Sequence, residues 1–278
     1  MRTRFAADEM LLDDAGPGEA APGKPAFRLE DPHAAPDAIV VAAVDRPVLF
    51  GYAPARPNGR ALLVIGGGGY TQLMAGREGV AVARWLTGLG FHAFVLVHRF
   101  PNATTGPAAP IEDAVRAMQA IRAHAAGFAA VGVVGLSSGG HLAACLLGPH
   151  PEGVRPDGAV IGYAPISTNA AGRTVVADKP PLVPPEKQAL YDRFQPDRQL
   201  ADAPPPVFIV YAGNDPVVPI DNAHRLHAAL VAAGGRPELH IFADAPHGFA
   251  LDTPDLPVSL WPTLCAAWLR QVCLAPPG

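Results

Sequence analysis

Three side chains of the types needed to open a carbonyl compound stand in this sequence at Ser137, Asp215 and His247. A serine hydroxyl is a poor nucleophile until a base takes its proton, and an imidazole serves as that base when a carboxylate fixes its tautomer. Ser137 lies in Gly135-Leu136-Ser137-Ser138-Gly139, between the apolar run Val131-Gly132-Val133-Val134 and the helix-forming run His141-Leu142-Ala143-Ala144. A strand that breaks into G-x-S-x-G and then into a helix has the form of a nucleophile elbow. So sharp a turn strains the serine backbone and leaves no room for bulk on either side. Ser137 has glycine two positions away in both directions, whereas Leu136 holds the matching position before Ser138. Ser137 is therefore the candidate nucleophile.

The partners follow in the chain order Ser, acid, His that this architecture uses. The apolar run Val207-Phe208-Ile209-Val210-Tyr211 leads into Gly213-Asn214-Asp215-Pro216, and Leu239-His240-Ile241-Phe242 leads into Pro246-His247-Gly248. Asp215 and His247 thus fall at the ends of consecutive strands. Asp215 could instead cap the helix that begins near Pro219. Among rival acids, Asp244 is too close to His247 in the chain, Asp202 lies outside the strand-end loop, and Asp221 suits the first helical turn. A fourth element precedes these three: Ala61-Leu62-Leu63-Val64-Ile65 runs into Gly66-Gly67-Gly68-Gly69-Tyr70. Backbone N–H groups of Gly68, Gly69 or Tyr70, with that of Ser138, could hold an oxyanion. A phosphate cradle is the other use of a glycine run, but neither G-K-[ST] nor a helix-opening G-x-G-x-x-G is present.

The elements that must position these residues alternate along the chain. Strands are expected near Ile39 to Val44 and Val48 to Tyr52 as an opening hairpin, then at the Leu62 run and from Ala93 to His98. Helices are expected from about Gly79 to Leu89 and from Pro110 to His124, where the proline and the acids Glu112 and Asp113 favour a helix start. Such alternation predicts an α/β fold, a mostly parallel central sheet with helices on both faces. Between Ile166 and about Pro196 the alternation lapses into proline-rich chain, so residues 166–196 are read as a small cap over the site. Leu182, Val183, Tyr191 and Phe194 would shape the pocket there, with Tyr70 from the glycine loop. Residues 1–37 lack periodicity and are expected to form a loosely held arm that packs over the body or stays mobile, with a single catalytic domain over 38–278.

Composition excludes several classes. The chain has 278 residues, 49% of them hydrophobic, and a net charge of −4, which gives nucleic acid no electrostatic footprint. Apolar stretches are strand-sized, so no membrane span is expected. Met1 to Glu9 lacks the apolar core of a secretory signal, which predicts a cytoplasmic location. Three cysteines without a C-x-x-C argue against a disulfide frame or a zinc site. His224 and His227 stand one helical turn apart with no third ligand nearby, so they read as a solvated face. No cofactor and no metal are expected.

Six pieces together carry a resemblance: Ile65 to Tyr70, Arg77-Glu78-Gly79, Ala93 to Arg99, Gly135 to Ala144, Asp215 to Pro219 and His247-Gly248-Phe249. From about Arg60 to the C-terminus the chain resembles bacterial α/β-hydrolases of the acetyl xylan esterase-like group. The resemblance implies an α/β-hydrolase fold and a serine carboxylesterase with Ser137, Asp215 and His247 as its triad. It also implies small ester substrates with short acyl groups, acetylated sugars among them. Gly66 stands where proline or histidine is more usual, and His98 replaces a frequent tyrosine. Other readings stay open: an arylformamidase or small amidase, a prolyl-oligopeptidase-like peptidase, whose large propeller this chain has no room for, and a non-catalytic hydrolase-fold receptor.

Overall fold

The continuous apolar runs become strands buried on both faces, as parallel sheets require. In the computed structural model the described residues are 8–13, 16–18 and 26–273. In chain order the elements are β1 (Asp8–Asp13), β2 (Gly16–Gly18), β3 (Phe27–Leu29), β4 (Val41–Val44), β5 (Val48–Tyr52) and β6 (Arg60–Ile65). There follow α1 (Ala81–Gly88), β7 (His92–Val97), α2 (Ala109–Arg122), β8 (Ala130–Leu136), α3 (Ser138–Cys145) and β9 (Ala159–Gly162). The chain continues with α4 (Pro185–Arg193), β10 (Val207–Ala212), α5 (Asp221–Ala232), β11 (Glu238–Phe242) and α6 (Trp261–Cys273).

Nine strands form one sheet in the order β11-β10-β9-β8-β6-β7-β5-β1-β2. The neighbours from β11 to β7 run parallel, whereas β5 is antiparallel to β7 and to β1. This is the α/β-hydrolase fold, with helices on both faces. α2 and α3 pack against each other and against β8 on one face, while Trp85 of α1 meets Trp261 of α6 edge to face on the other, 5.5 Å between ring centres. The core lies between these layers and the buried strands β6, β8 and β10.

One pairing differs from the sequence reading. β4 and β5 are not a hairpin: β4 pairs with β3 in a separate two-stranded sheet, and β5 takes β7 and β1 as neighbours. The N–H groups of Asp45 and Arg46 both donate to the Ala26 carbonyl, at 2.8 and 3.0 Å, which turns the connecting chain toward β3. Within the stretch read as an arm, β1 forms a strand by pairing with the open edge of β5. No side-chain periodicity announces pairing of that kind. Among the described residues no helix is long and apolar enough to cross a membrane.

Because β6, β8, β9, β10 and β11 are parallel and adjacent, their carboxyl ends open on one edge of the sheet. The glycine loop, Ser137, the insertion over 166–196, Asp215 and His247 leave from those five ends.

Candidate active site

The elbow at the end of β8 holds Ser137 at φ 52° and ψ −125°, a conformation side chains rarely adopt. Its neighbours have to be glycine. A Cβ at Gly139 would collide with the carbonyl oxygens of Ile65 and Gly66, and one at Gly135 would collide with the Gly139 carbonyl. Gly139→Ala is therefore expected to cost about 1–3 kcal/mol of stability and to displace Ser137, which denaturant unfolding and ester turnover would register together.

Ser137, His247 and Asp215 converge. The Ser137 hydroxyl lies 3.0 Å from His247 Nε2, and His247 Nδ1 lies 2.7 Å from Asp215 Oδ2. A carboxylate accepts only, so Nδ1–H donates to Asp215 and Nε2 is left to accept the serine proton. Asp215 is itself fixed: its Oδ1 accepts the N–H groups of Val217 and Val218 at 2.8 and 2.9 Å. These bonds turn the loop before α5, which starts at Asp221, and leave Oδ2 for the histidine. Asp244 is engaged elsewhere and accepts from the Asn214 amide.

The glycine loop passes beside Ser137. A Cβ at Gly67 would stand 2.5 Å from that of Ser137. Gly68, Gly69 and Tyr70 all have positive φ, which turns successive N–H groups of the loop inward. The Gly69 N–H is already taken, donating to Ser138 Oγ at 2.9 Å. Among the described residues no group accepts from the N–H of Gly68 or Tyr70. These two and the Ser138 N–H, at the start of α3, are the donors a developing oxyanion could use.

The residues expected to line the pocket have more structural duties than the sequence suggested. Tyr70 is fully buried, and its hydroxyl donates to His141 Nδ1 at 2.8 Å, while His141 Nε2–H donates to the Phe194 carbonyl at 2.9 Å. Tyr191 packs on both, 5.6 Å from the Tyr70 ring and 4.7 Å from His141. His141 thus clamps the glycine loop to the end of the 166–196 insertion. Phe194 also lines a separate hollow of about 420 Å³ with Cys145, His150 and Leu200, away from Ser137. Leu182 is half-buried in the insertion, tied through its N–H to Gln188 at 2.9 Å, and Val183 is 75% exposed. The insertion over 166–196 is rooted by Asn222 of α5, whose side-chain oxygen accepts from the backbone of Ser167 and Thr168.

Burial lowers the pKa of His141 from 6.5 to about 4, because a charged imidazole there would lose its hydration. The unfolded chain takes up this proton near pH 6.5 and the folded one does not. The contribution is therefore full above pH 6.5 and is lost as the pH falls toward about 4. It amounts to ~3 kcal/mol at most. Urea unfolding at pH 7 and pH 4.5 should show this loss, and His141→Gln should flatten it.

One functional candidate escaped the sequence reading. Glu78 follows the glycine loop and is only 3% exposed; its Oε2 accepts the Gly67 N–H at 2.6 Å and its Oε1 accepts the Tyr163 hydroxyl at 3.0 Å. Burial raises its pKa, opposed by these two hydrogen bonds and by the nearby His247 and Arg77. Its place in Arg77-Glu78-Gly79 was the available signal. His224 is exposed on α5, and among the described residues no group of three His, Cys, Asp or Glu side chains could hold a metal.

The family model described as the prolyl oligopeptidase family matches residues 104–271, a span that contains Ser137, Asp215 and His247. The chain belongs to this family. Among family relatives, an acetylxylan esterase of Xylanibacter ruminicola is 28% identical over 218 residues, 73% of this chain and 43% of that protein. Endo-1,4-beta-xylanase B of Butyrivibrio fibrisolvens is 31% identical over 190 residues, 61% of this chain and 29% of that protein. The chain therefore spans less than half the length of these relatives. Among solved structures, the acetyl ester-xyloside bifunctional hydrolase from Caldicellulosiruptor lactoaceticus superimposes with a TM-score of 0.65 at 27% identity, over 82% of this chain and 89% of that one. A thermophilic esterase from Thermogutta terrifontis shares the fold, with a TM-score of 0.67 at 22% identity over 84% of this chain and 90% of that one. The glycine loop and Glu78 lie outside the span the family model matches.

Proposed function

We propose that this chain is a serine carboxylesterase that hydrolyses short acyl esters, acetyl esters first among them, through an acyl-enzyme. The observation that carries this reading is the unbroken relay from Asp215 through His247 to Ser137, at 2.7 and 3.0 Å, with the serine raised on a strained elbow. His247 Nε2 takes the Ser137 proton as Oγ bonds to the ester carbonyl carbon. The oxyanion is met by the N–H of Ser138 and those of Gly68 and Tyr70. Collapse breaks the bond to the alcohol oxygen, which leaves with the proton from His247. Water then attacks the acyl-serine along the same route and restores the enzyme.

Ester substrates are favoured over peptides by the relatives named for acetylxylan and acetyl ester hydrolysis. An acetylated sugar as the natural substrate rests on the same relatives. The small cap over residues 166–196 would bound the alcohol side of the pocket. The test is a series of p-nitrophenyl esters of increasing acyl length, set beside acetylated xylose, an aryl formamide and a prolyl peptide amide. Fastest turnover on acetyl is expected. Faster turnover of the formamide or the peptide would replace the ester reading, and binding without turnover would favour a receptor.

A further inference from the structure

Glu78 is a buried carboxylate that the three-residue relay does not use. Burying such a group is costly unless donors or opposite charge compensate, and here both oxygens are met by donors, Gly67 N–H and the Tyr163 hydroxyl. Through these two bonds Glu78 joins the glycine loop to the end of β9. It also reaches the histidine loop: a Cβ at Gly248, next to His247, would stand 3.7 Å from Glu78 Oε1. The Tyr163 ring packs edge to face on His247, 5.3 Å away. A Cβ at Gly67 would lie 2.8 Å from Glu78 Oε2 and 2.5 Å from the Ser137 Cβ, so the carboxylate and the nucleophile flank one residue.

We propose that Glu78 is a positioning residue for the reaction, fastening the glycine loop at Gly67 beside Ser137 and setting a second negative charge behind His247 that favours the imidazolium formed at each proton transfer. The inference rests on Ser137, His247 and Asp215 acting as proposed above. The charged groups around the imidazole are Asp215 on Nδ1, Glu78, and Arg77, whose guanidinium is paired with Asp252 at 2.7 Å. Ser137 and Tyr163 are the neutral neighbours. Two carboxylates against one already paired guanidinium leave the imidazolium in a net negative surrounding, and removing one of them must make it less favourable.

Glu78→Gln separates charge from anchoring. The amide oxygen can still accept from Gly67, and the amide nitrogen can donate to the Tyr163 hydroxyl, which turns from donor to acceptor, so both contacts remain while the charge goes. With the purified full chain and p-nitrophenyl acetate, the acid limb of the kcat/KM profile should move down by about one pH unit. Turnover should fall about tenfold, with KM within about twofold. A wild-type limb and wild-type turnover would overturn the proposal. Should the Gln variant not fold, Glu78→Asp keeps the charge and gives up the reach to Gly67. It should retain the wild-type limb and lose turnover; unchanged turnover, or a limb displaced downward, would overturn the proposal just as well. Labelling of the wild-type protein with a fluorophosphonate separates the two levels of inference. No label on Ser137 would defeat the esterase reading itself, whereas a labelled Ser137 with an indifferent Glu78→Gln would defeat only the role of Glu78.

Discussion

Ser137→Ala is expected to fold as the wild type does and to lose about six orders of magnitude in turnover of acetyl esters, down to what binding and the oxyanion donors alone supply. The fold should survive because alanine keeps the Cβ that already sits at φ 52°, and the hydroxyl that is removed bonds to His247 Nε2. The adjacent Ser138 cannot take over. Its hydroxyl accepts the Gly69 N–H and is buried at the start of α3, turned to the glycine loop and not to the histidine. Ser138→Ala should accordingly keep most of the activity, while a fluorophosphonate should label wild type and Ser138→Ala but not Ser137→Ala. Substantial turnover by Ser137→Ala would remove the covalent mechanism.

The second large effect belongs to Asp215. Its Oδ1 is held by the N–H groups of Val217 and Val218, so an asparagine there must present its carbonyl oxygen to them. Its amide nitrogen then faces His247 Nδ1, where Asp215 Oδ2 now stands at 2.7 Å. A donor facing Nδ1 forces the imidazole proton onto Nε2, which can no longer accept from Ser137. Asp215→Asn is therefore expected to lower kcat about 10⁴-fold at neutral pH with little change in KM or in melting temperature. Part of the loss should return at high pH, where hydroxide can substitute for the missing base. A loss of tenfold or less would mean that His247 takes its orientation from something other than Asp215.

Much of the site was legible because its chemistry is bound to local geometry. The G-x-S-x-G turn needs glycines on both sides of Ser137, and Gly135 and Gly139 are flanked by backbone so closely that a Cβ would clash. The strand-end positions of Asp215 and His247 follow from apolar runs that end abruptly, and parallel neighbours bring those ends together. The hairpin expected of β4 and β5 was misread because adjacency in the chain does not say which edge a strand will take. The link that His141 makes between the Tyr70 hydroxyl and the Phe194 backbone carbonyl has no local signal, since it joins residues 71 and 53 positions apart in the chain.

By itself the sequence placed Ser137 in its elbow, Asp215 and His247 at later strand ends, the glycine loop and the parallel α/β plan, since each depends on residues within a turn or a strand of one another. Tertiary structure decided the rest: that Gly69 is already occupied by Ser138, that β1 and β2 extend the sheet beyond β5, and that Glu78 lies buried between the glycine loop and the histidine loop. A buried carboxylate and a solvated one look alike in a sequence, because what distinguishes them is which donors the folded chain brings within 3 Å of their oxygens.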